Sequence, residues 1–307
     1  MSEAVSVSIL MNCYNSERFL QETLDSLFKQ TWQNWQLVFV DNCSTDNSSK
    51  MISQYRHDER VNYIMTPHHM SLGEARDFGL DYCQGKYICF LDTDDLWDSA
   101  KLKKQVVFLD KHPDALLTYS GCYFINENSK ITGKRDLAYK YGNLFGINLA
   151  NYEINIPTLM IRRDALGMID KPYFDPLLKF AEDNNLAMRL LACGPAACQP
   201  EKLVYYRQSR GSLTNKTVDL WGPEMEYTFK KLDALGVLIP NSSKKQRQLA
   251  LAKIAYYKAV YLVQIHEFKQ AAALLKEYRF SNLKYYLLYW ASYSPALWSL
   301  AHHLRSY

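Results

Sequence analysis

The chain of 307 residues contains no apolar stretch approaching the length of a membrane span, and its N-terminus has no basic region followed by an apolar core. A spanning topology and a secretory leader are therefore not expected, and a cytoplasmic setting is. The seven cysteines, Cys13, Cys43, Cys83, Cys89, Cys122, Cys193 and Cys198, form neither a CxxC pair nor a zinc spacing. An odd, scattered set in that compartment reads as buried reduced thiols, and the sequons at Asn42 and Asn215 carry no weight there. There is no repeat array and no low-complexity tract. No glycine occurs in Cys13–Phe19, the turn after the first apolar run, so a glycine-rich phosphate loop is excluded at that place. No nucleic-acid partner is expected.

What is present is ordinary for a globular chain, at 48% hydrophobic and 22% charged residues. The charge is unevenly placed. Residues 216–307 carry 13 Lys/Arg against 6 Asp/Glu, a net +7, whereas residues 1–215 carry 23 against 26, a net −3. The division predicts two pieces, a larger one over 1–215 and a helical one over 216–307.

Strand and helix signals alternate through the first ninety residues. Val5–Met11, Leu37–Val40, Val61–Met65 and Tyr87–Leu91 are short β-rich runs. Between them lie helical patterns over Glu17–Gln30, Ser44–Tyr55 and Ser71–Cys83, the last opened by the capping box Ser71/Glu74. Such alternation predicts a parallel, doubly wound α/β sheet with every strand's carboxyl end on one edge. Beyond Asp110 the pattern loosens. Ala115–Tyr119, Tyr123–Ile125, Ile156–Ile161 and Leu203–Tyr206 read as strands, Thr132–Asn151 as a long loop, and Glu182–Cys193 as a helix. Gln248–Val263 and Glu267–Tyr278 read as an antiparallel helix pair.

The most informative stretch is Tyr87–Trp97, an apolar run leading into Asp92, Asp94 and Asp95. Carboxylates at the end of a buried strand lie where open α/β sheets bind ligands. Their hard oxygens suit Mg²⁺ or Mn²⁺, which in turn bind phosphate. The plainer reading is an acidic cap on a helix starting at Leu96, but one Asp would serve for that.

Three segments carry a family resemblance: VSILMNCYNSERFLQETLDSLFKQT, LVFVDNCSTDNS and GEARDFGLDYCQGKYICFLDTDDLW. In order and spacing they resemble family 2 of the inverting glycosyltransferases, densely over residues 5–110 and more thinly to about 215. The resemblance implies the GT-A fold, a Rossmann-like doubly wound, mostly parallel sheet, here with a C-terminal helical extension. It also implies transfer from a nucleotide-diphosphate sugar, expected to be a UDP-sugar, to a saccharide or lipid-linked hydroxyl in bacterial surface polysaccharide or lipopolysaccharide assembly. Asn12, Tyr14, Asn15 and Asp41 would line the nucleoside pocket; Asn12 stands where the family commonly has Pro, and Asn42 where it has Asp. The alternative for Asp41 is a cap on the next helix. Arg76, in the segment resembling the family's ARN helix, would meet phosphate oxygens, or else pair with a neighbouring acid. Asp92 and Thr93 would contact the nucleotide, and Asp94 with Asp92 would hold the cation, a Lewis acid for the leaving diphosphate.

Glu182-Asp183 resembles the family's ED motif, which makes Asp183 the expected general base; two acids favoured at a helix N-terminus is the plainer reading. Glu182, Trp97 and Arg207 are candidate donor or acceptor contacts, with core packing the alternative for Trp97. Ser209 stands where the family often has His. The aromatic tail, Lys284–Tyr307, reads either as a helix on its own core or as a peripheral membrane anchor. Two rivals remain: a nucleotidyltransferase-like enzyme, which normally shows the glycine-rich loop missing here, and a non-catalytic sugar-nucleotide-binding protein, which would not need Asp183.

Overall fold

In the computed structural model, which describes residues 5–209, 211, 216–295 and 297–298, the first apolar run forms strand β1 (Val7–Cys13). Six of its seven residues are buried, as expected of a strand covered on both faces. Strand β2 (Trp35–Asp41) runs parallel to it on one side and β4 (Tyr87–Phe90) on the other, with β3 (Val61–Met65) parallel to β2. Register sets Cys13 opposite Asp41 and Leu10 opposite Phe90, so these strands finish along one edge.

The helices between them pack as their spacing predicts. Helix α1 (Glu17–Phe28) buries Leu20, Leu24 and Leu27. Helix α2 (Ser48–Ser53) is short, and α3 (Leu72–Leu80) opens with the Ser71/Glu74 capping box. Gly79 lets α3 approach the sheet closely: a Cβ there would stand 2.4 Å from Leu10 Cδ1 and 2.7 Å from Val40 Cγ2.

Beyond β4 the sheet becomes mixed. Its order is β3-β2-β1-β4-β9-β6-β10-β5, with β9 (Met160–Arg162) antiparallel to β4 and β6, and with β6 (Leu117–Ile125) parallel to β10 (Ala196–Arg207). Five expectations need correction. Ile156–Ile161 is not one strand: Ile156–Thr158 is a 3-10 turn, and β9 begins only at Met160. Leu96 does not begin a helix: Leu96–Trp97 is a short strand, β5, antiparallel to β10, and helix α4 starts at Lys101 and runs to Lys111. The two strands read at Ala115–Tyr119 and Tyr123–Ile125 are one, β6, which starts at Leu117, and Leu203–Tyr206 lies in the last part of the longer β10. The stretch read as a loop, Thr132–Asn151, contains most of β7 (Ile131–Arg135), all of β8 (Lys140–Gly142) and helix α5 (Phe145–Ala150). Polar edge strands and a helix of six residues give too little periodicity to be read locally. Helix α6 spans Glu182–Cys193, as expected.

The chain divides into two compact units. One comprises Met1–Leu144 and Ile154–Ser209, the other Phe145–Glu153 and Arg210–Tyr307. The second holds α5, α7 (Val218–Ala234), α8 (Leu238–Asn241), α9 (Lys244–Gln264), α10 (Phe268–Lys276) and α11 (Leu283–Ala291). Its core is built around Ala252, Tyr256, Ala259, Ala271, Leu275 and Leu288. α9 begins with a second capping box, Ser243/Gln246. Among the described residues no helix is long and apolar enough to cross a membrane, and all seven cysteines are free thiols.

Candidate active site

Two loops at the ends of β1 and β2 are tied together. Asp41 is buried; its Oδ1 accepts from Ser44 N at 2.8 Å and its Oδ2 from the Tyr63 hydroxyl at 2.9 Å. It orders its own loop and does not cap a helix; that task falls to Asp46, which accepts from the backbone N–H groups of Glu17 and Ser48, both at 2.9 Å. Asn15 adopts a positive φ of 49°, and its Oδ1 accepts from Thr45 N at 2.8 Å. Asn42 clips the segment before α3 through two bonds with the Met70 backbone, at 2.8 and 2.9 Å. Tyr14 is 50% exposed and its ring lies 4.3 Å from that of His69, a neighbour the sequence did not single out. The Nδ2 of Asn12 is buried and makes no hydrogen bond.

The acidic loop after β4 is gripped by two buried arginines. Arg76, on α3, donates from Nη2 to Asp92 Oδ1 at 2.8 Å and from Nη1 to Glu182 Oε1 at 2.7 Å. One guanidinium thus joins α3, the acidic loop and the first turn of α6, and the acids around it keep it firmly charged. Both of these partners are acids, and both lie outside its own helix.

Arg207 holds the loop from the other side. Its Nε donates to the Asp94 carbonyl at 2.7 Å, its Nη2 reaches Glu22 at 3.0 Å, and its backbone N–H donates to Asp95 Oδ1 at 2.7 Å. The side chain has no exposed surface. Arg207 is therefore a clamp on the loop, and the expectation that it contacts a donor is corrected. Between the aspartates, Thr93 is fixed by Ser16 Oγ at 2.8 Å and by Thr23, whose hydroxyl donates to the Thr93 carbonyl at 2.9 Å.

This arrangement leaves carboxylates without a neutralising side chain. Burial, and then the charge of Asp92, pushes the Asp94 carboxyl up to about 6. Burial and the same neighbours raise Asp95 well above the ordinary carboxylate range, and its Oδ2 makes no hydrogen bond. Among the described residues no three His, Cys, Asp or Glu side chains form a ready-made metal cage. The oxygens of Asp92 and Asp94 are of the hard type that suits a divalent cation, which would draw its other ligands from substrate phosphate and water.

Asp183 stands in the first turn of α6 with Oδ1 accepting from Asn184 N at 2.6 Å. Burial first, and Glu182 next, raise its carboxyl to about 7, against the opposing pull of Arg76. The segment before α6 is held by Asp77 and Arg189. Asp77 accepts from Tyr173 N and Phe174 N at 3.1 and 3.0 Å, and Arg189 donates to the Pro172 and Tyr173 carbonyls, both at 3.1 Å. An open cleft of about 300 Å³ on this side of α3 is lined by His68, Glu74, Asp77, Phe78 and Phe174. Trp97 is elsewhere: it is 3% exposed, its indole N–H donates to the Pro157 carbonyl at 3.0 Å, and the Lys101 ammonium lies 3.9 Å from its ring centre. The expectation that it walls a sugar site is corrected, and it is a core residue. Of the segment after Arg207, Ser209 is described, while Ser212 and Thr214 lie outside the described residues.

A sheet with this parallel core, an acidic loop at its carboxyl edge and an acid pair opening a later helix define a GT-A-type domain. The chain belongs to glycosyl transferase family 2, whose model it matches over residues 8–168, more than half its length. It is 29% identical over 265 residues to WfgD of Escherichia coli, a UDP-Glc:alpha-D-GlcNAc-diphosphoundecaprenol beta-1,3-glucosyltransferase, across 84% of this chain and 92% of that protein. It is 30% identical over 172 residues to TuaG of Bacillus subtilis (strain 168), a glycosyltransferase provisionally described as acting in teichuronic acid biosynthesis. That match covers 54% of this chain and 66% of TuaG, just under two thirds of its length. The crystal structure of S. aureus TarS 1-349 in complex with UDP-GlcNAc shares the fold, with a TM-score of 0.69 at 19% identity, covering 95% of this chain and 88% of that one.

Proposed function

We propose that the chain is a metal-dependent, inverting sugar transferase that moves a sugar from UDP to an acceptor hydroxyl during surface polysaccharide assembly. The observation that carries this reading is that one guanidinium joins two acidic segments: Asp92 and Glu182 are bonded to Arg76, while the next acid along each segment, Asp94 and Asp183, has its carboxyl pKa raised to about 6 and about 7. Asp94, with Asp92, would hold Mn²⁺ or Mg²⁺. When bound, the ion would supply positive charge for the departing diphosphate. Asn12, Tyr14, Asn15 and Asp41 would form the nucleoside pocket: the exposed Tyr14 ring offers a stacking face, and the buried Asn12 amide has a donor to give. Arg76 acts by positioning, since its terminal nitrogens are already bonded to acids.

Asp183 would take the proton from the acceptor hydroxyl as its oxygen bonds to the sugar and UDP departs. A base with a pKa near the working pH suits this step, because it is substantially unprotonated yet basic enough to accept the proton. The UDP donor and the lipid-diphosphate-linked acceptor in WfgD's name support a UDP-sugar and a lipid-linked acceptor here. On this reading the chain works in the cytoplasm, against the membrane that carries its acceptor.

Calorimetric titration of UDP with and without Mn²⁺, followed by an assay of UDP release from UDP-glucose, tests the proposal. Metal-strengthened binding and acceptor-dependent release are expected. UDP binding that ignores the metal would remove Asp94 and Asp92 from the reading.

A further inference from the structure

The segment between β3 and α3 places one imidazole beside the Tyr14 loop. Both ends of that segment are fixed. Thr66 N donates to the Asp41 carbonyl at 3.0 Å, and the Asn42 side chain holds the Met70 backbone at 2.8 and 2.9 Å. Within it, His69 Nδ1 lies 3.1 Å from the Asn42 carbonyl oxygen. A carbonyl oxygen only accepts, so Nδ1 carries the proton and donates. In the neutral ring Nε2 is then a bare acceptor. Among the described residues nothing bonds to Nε2, and His69 is exposed.

The side-chain oxygens around it are engaged in holding the loops. Asp41 takes Ser44 N and the Tyr63 hydroxyl, Asn15 takes Thr45 N, and Asn42 takes Met70 N and the Thr66 hydroxyl. His69 stands against Tyr14, with ring centroids 4.3 Å apart and planes at 45°. A flat base laid on the half-exposed Tyr14 ring therefore has an unused acceptor at its side.

We propose that His69 selects the base of the donor nucleotide, its Nε2 accepting the imide N–H of uracil. The inference rests on the UDP-sugar reading and deepens it to one residue. At the corresponding ring nitrogen cytosine carries a lone pair in place of the proton. That lone pair would face the lone pair of Nε2, and neither acceptor would be satisfied. A pocket with this acceptor takes UDP and turns CDP away.

Calorimetry of the full chain with UDP and with CDP, each with Mn²⁺, is the test. UDP should bind at least about tenfold more tightly, the scale of one hydrogen bond made against one acceptor left unpaired. His69→Asn keeps a donor for the Asn42 carbonyl and removes the acceptor, so the two affinities should converge. His69→Gln returns an oxygen to the ε position and should keep most of the preference. Nitrogen-15 NMR of the histidines in the unaltered chain, in mildly alkaline buffer, reads the same contact whether or not a variant folds. Nε2 of His69 should resonate as an unprotonated nitrogen and shift with UDP but not with CDP. A proton on Nε2, UDP bound no more tightly than CDP, or a preference that survives in His69→Asn overturns the assignment of His69 and leaves the donor reading standing. A chain that binds neither nucleotide overturns both.

Discussion

The acidic loop is held at its two ends by buried arginines that do opposite things. Arg76 gives its guanidinium to carboxylates, Asp92 and Glu182. Arg207 gives two side-chain bonds to main-chain carbonyls, those of Asp94 and Asn126, one to the Ser129 hydroxyl and one to Glu22, which is half exposed. The first arrangement neutralises charge and joins two distant acids. The second fixes the shape of the loop, where burial and the charge of Asp92 raise the Asp94 carboxyl, and burial with Asp94 and Asp92 raises Asp95. A cation bound beside Asp94 would meet a loop whose backbone is already held in place, the preorganisation that electrostatic catalysis requires.

The largest effect should come from breaking the first arrangement. Arg76→Gln leaves the buried Glu182 carboxylate without its cation, a change that typically destabilises by about 3–5 kcal/mol. Urea unfolding measures it, and a loss below about 1 kcal/mol would mean that the Arg76–Glu182 pair does not carry its charge into the fold. Next is Asp183→Asn, which should lower turnover by at least about 10²-fold while leaving UDP affinity nearly unchanged. The parent enzyme should show a matching pH profile. The base must be unprotonated, so turnover should rise with pH and reach half its plateau near pH 7, set by the raised Asp183 carboxyl. A flat profile through that range would assign the proton to another group.

A smaller effect sharpens the second arrangement. Asp94→Asn should reduce the Mn²⁺-dependent gain in UDP affinity about tenfold, the scale of one lost metal contact. In the parent, protons compete with the metal for a carboxylate whose pKa is about 6, so the gain should shrink below that pH and be full above it. Calorimetry across pH checks both statements. The smallest effect tests the packing role of Trp97: Trp97→Phe loses the bond to the Pro157 carbonyl and should cost about 1 kcal/mol of stability with UDP affinity unchanged. A fall in affinity without a loss of stability would return Trp97 to the site.

Much of the site was legible in the chain because its signals are local. The run Tyr87–Leu91 is apolar for a strand's length and Asp92–Asp95 follow at once, so strand end and carboxylates are adjacent by covalent connection. The Ser71/Glu74 capping box and the α1 stripe of Leu20, Leu24 and Leu27 are likewise complete within one or two turns. The break at Leu96 was not legible. An Asp-rich start suggests a helix, but pairing of Leu96 and Trp97 with Tyr205 and Val204 decides for a strand, and that partner lies more than a hundred residues away.

In the second unit the aromatic run of α11 announced a helix, but its sides were indistinguishable by residue type. Only packing against Tyr256 and its neighbours sends Tyr285 and Leu288 inward and leaves Tyr286 and Trp290 outside.

The sequence by itself determined the parallel α/β core, the edge on which the acids gather and the candidacy of Asp94, since each rests on periodicity and on chemistry confined to a short segment; Asp183 was singled out by the resemblance to the ED motif. The tertiary structure alone decided what the long polar side chains do. Arg76 meets Glu182 across 106 residues, Arg207 meets Asp94 across 113, and Trp97 meets Pro157 across 60. A guanidinium or an indole can satisfy its donors with any acceptor within reach. Which acceptor that is depends on how the intervening strands are ordered in the sheet, and residue type alone does not encode that order.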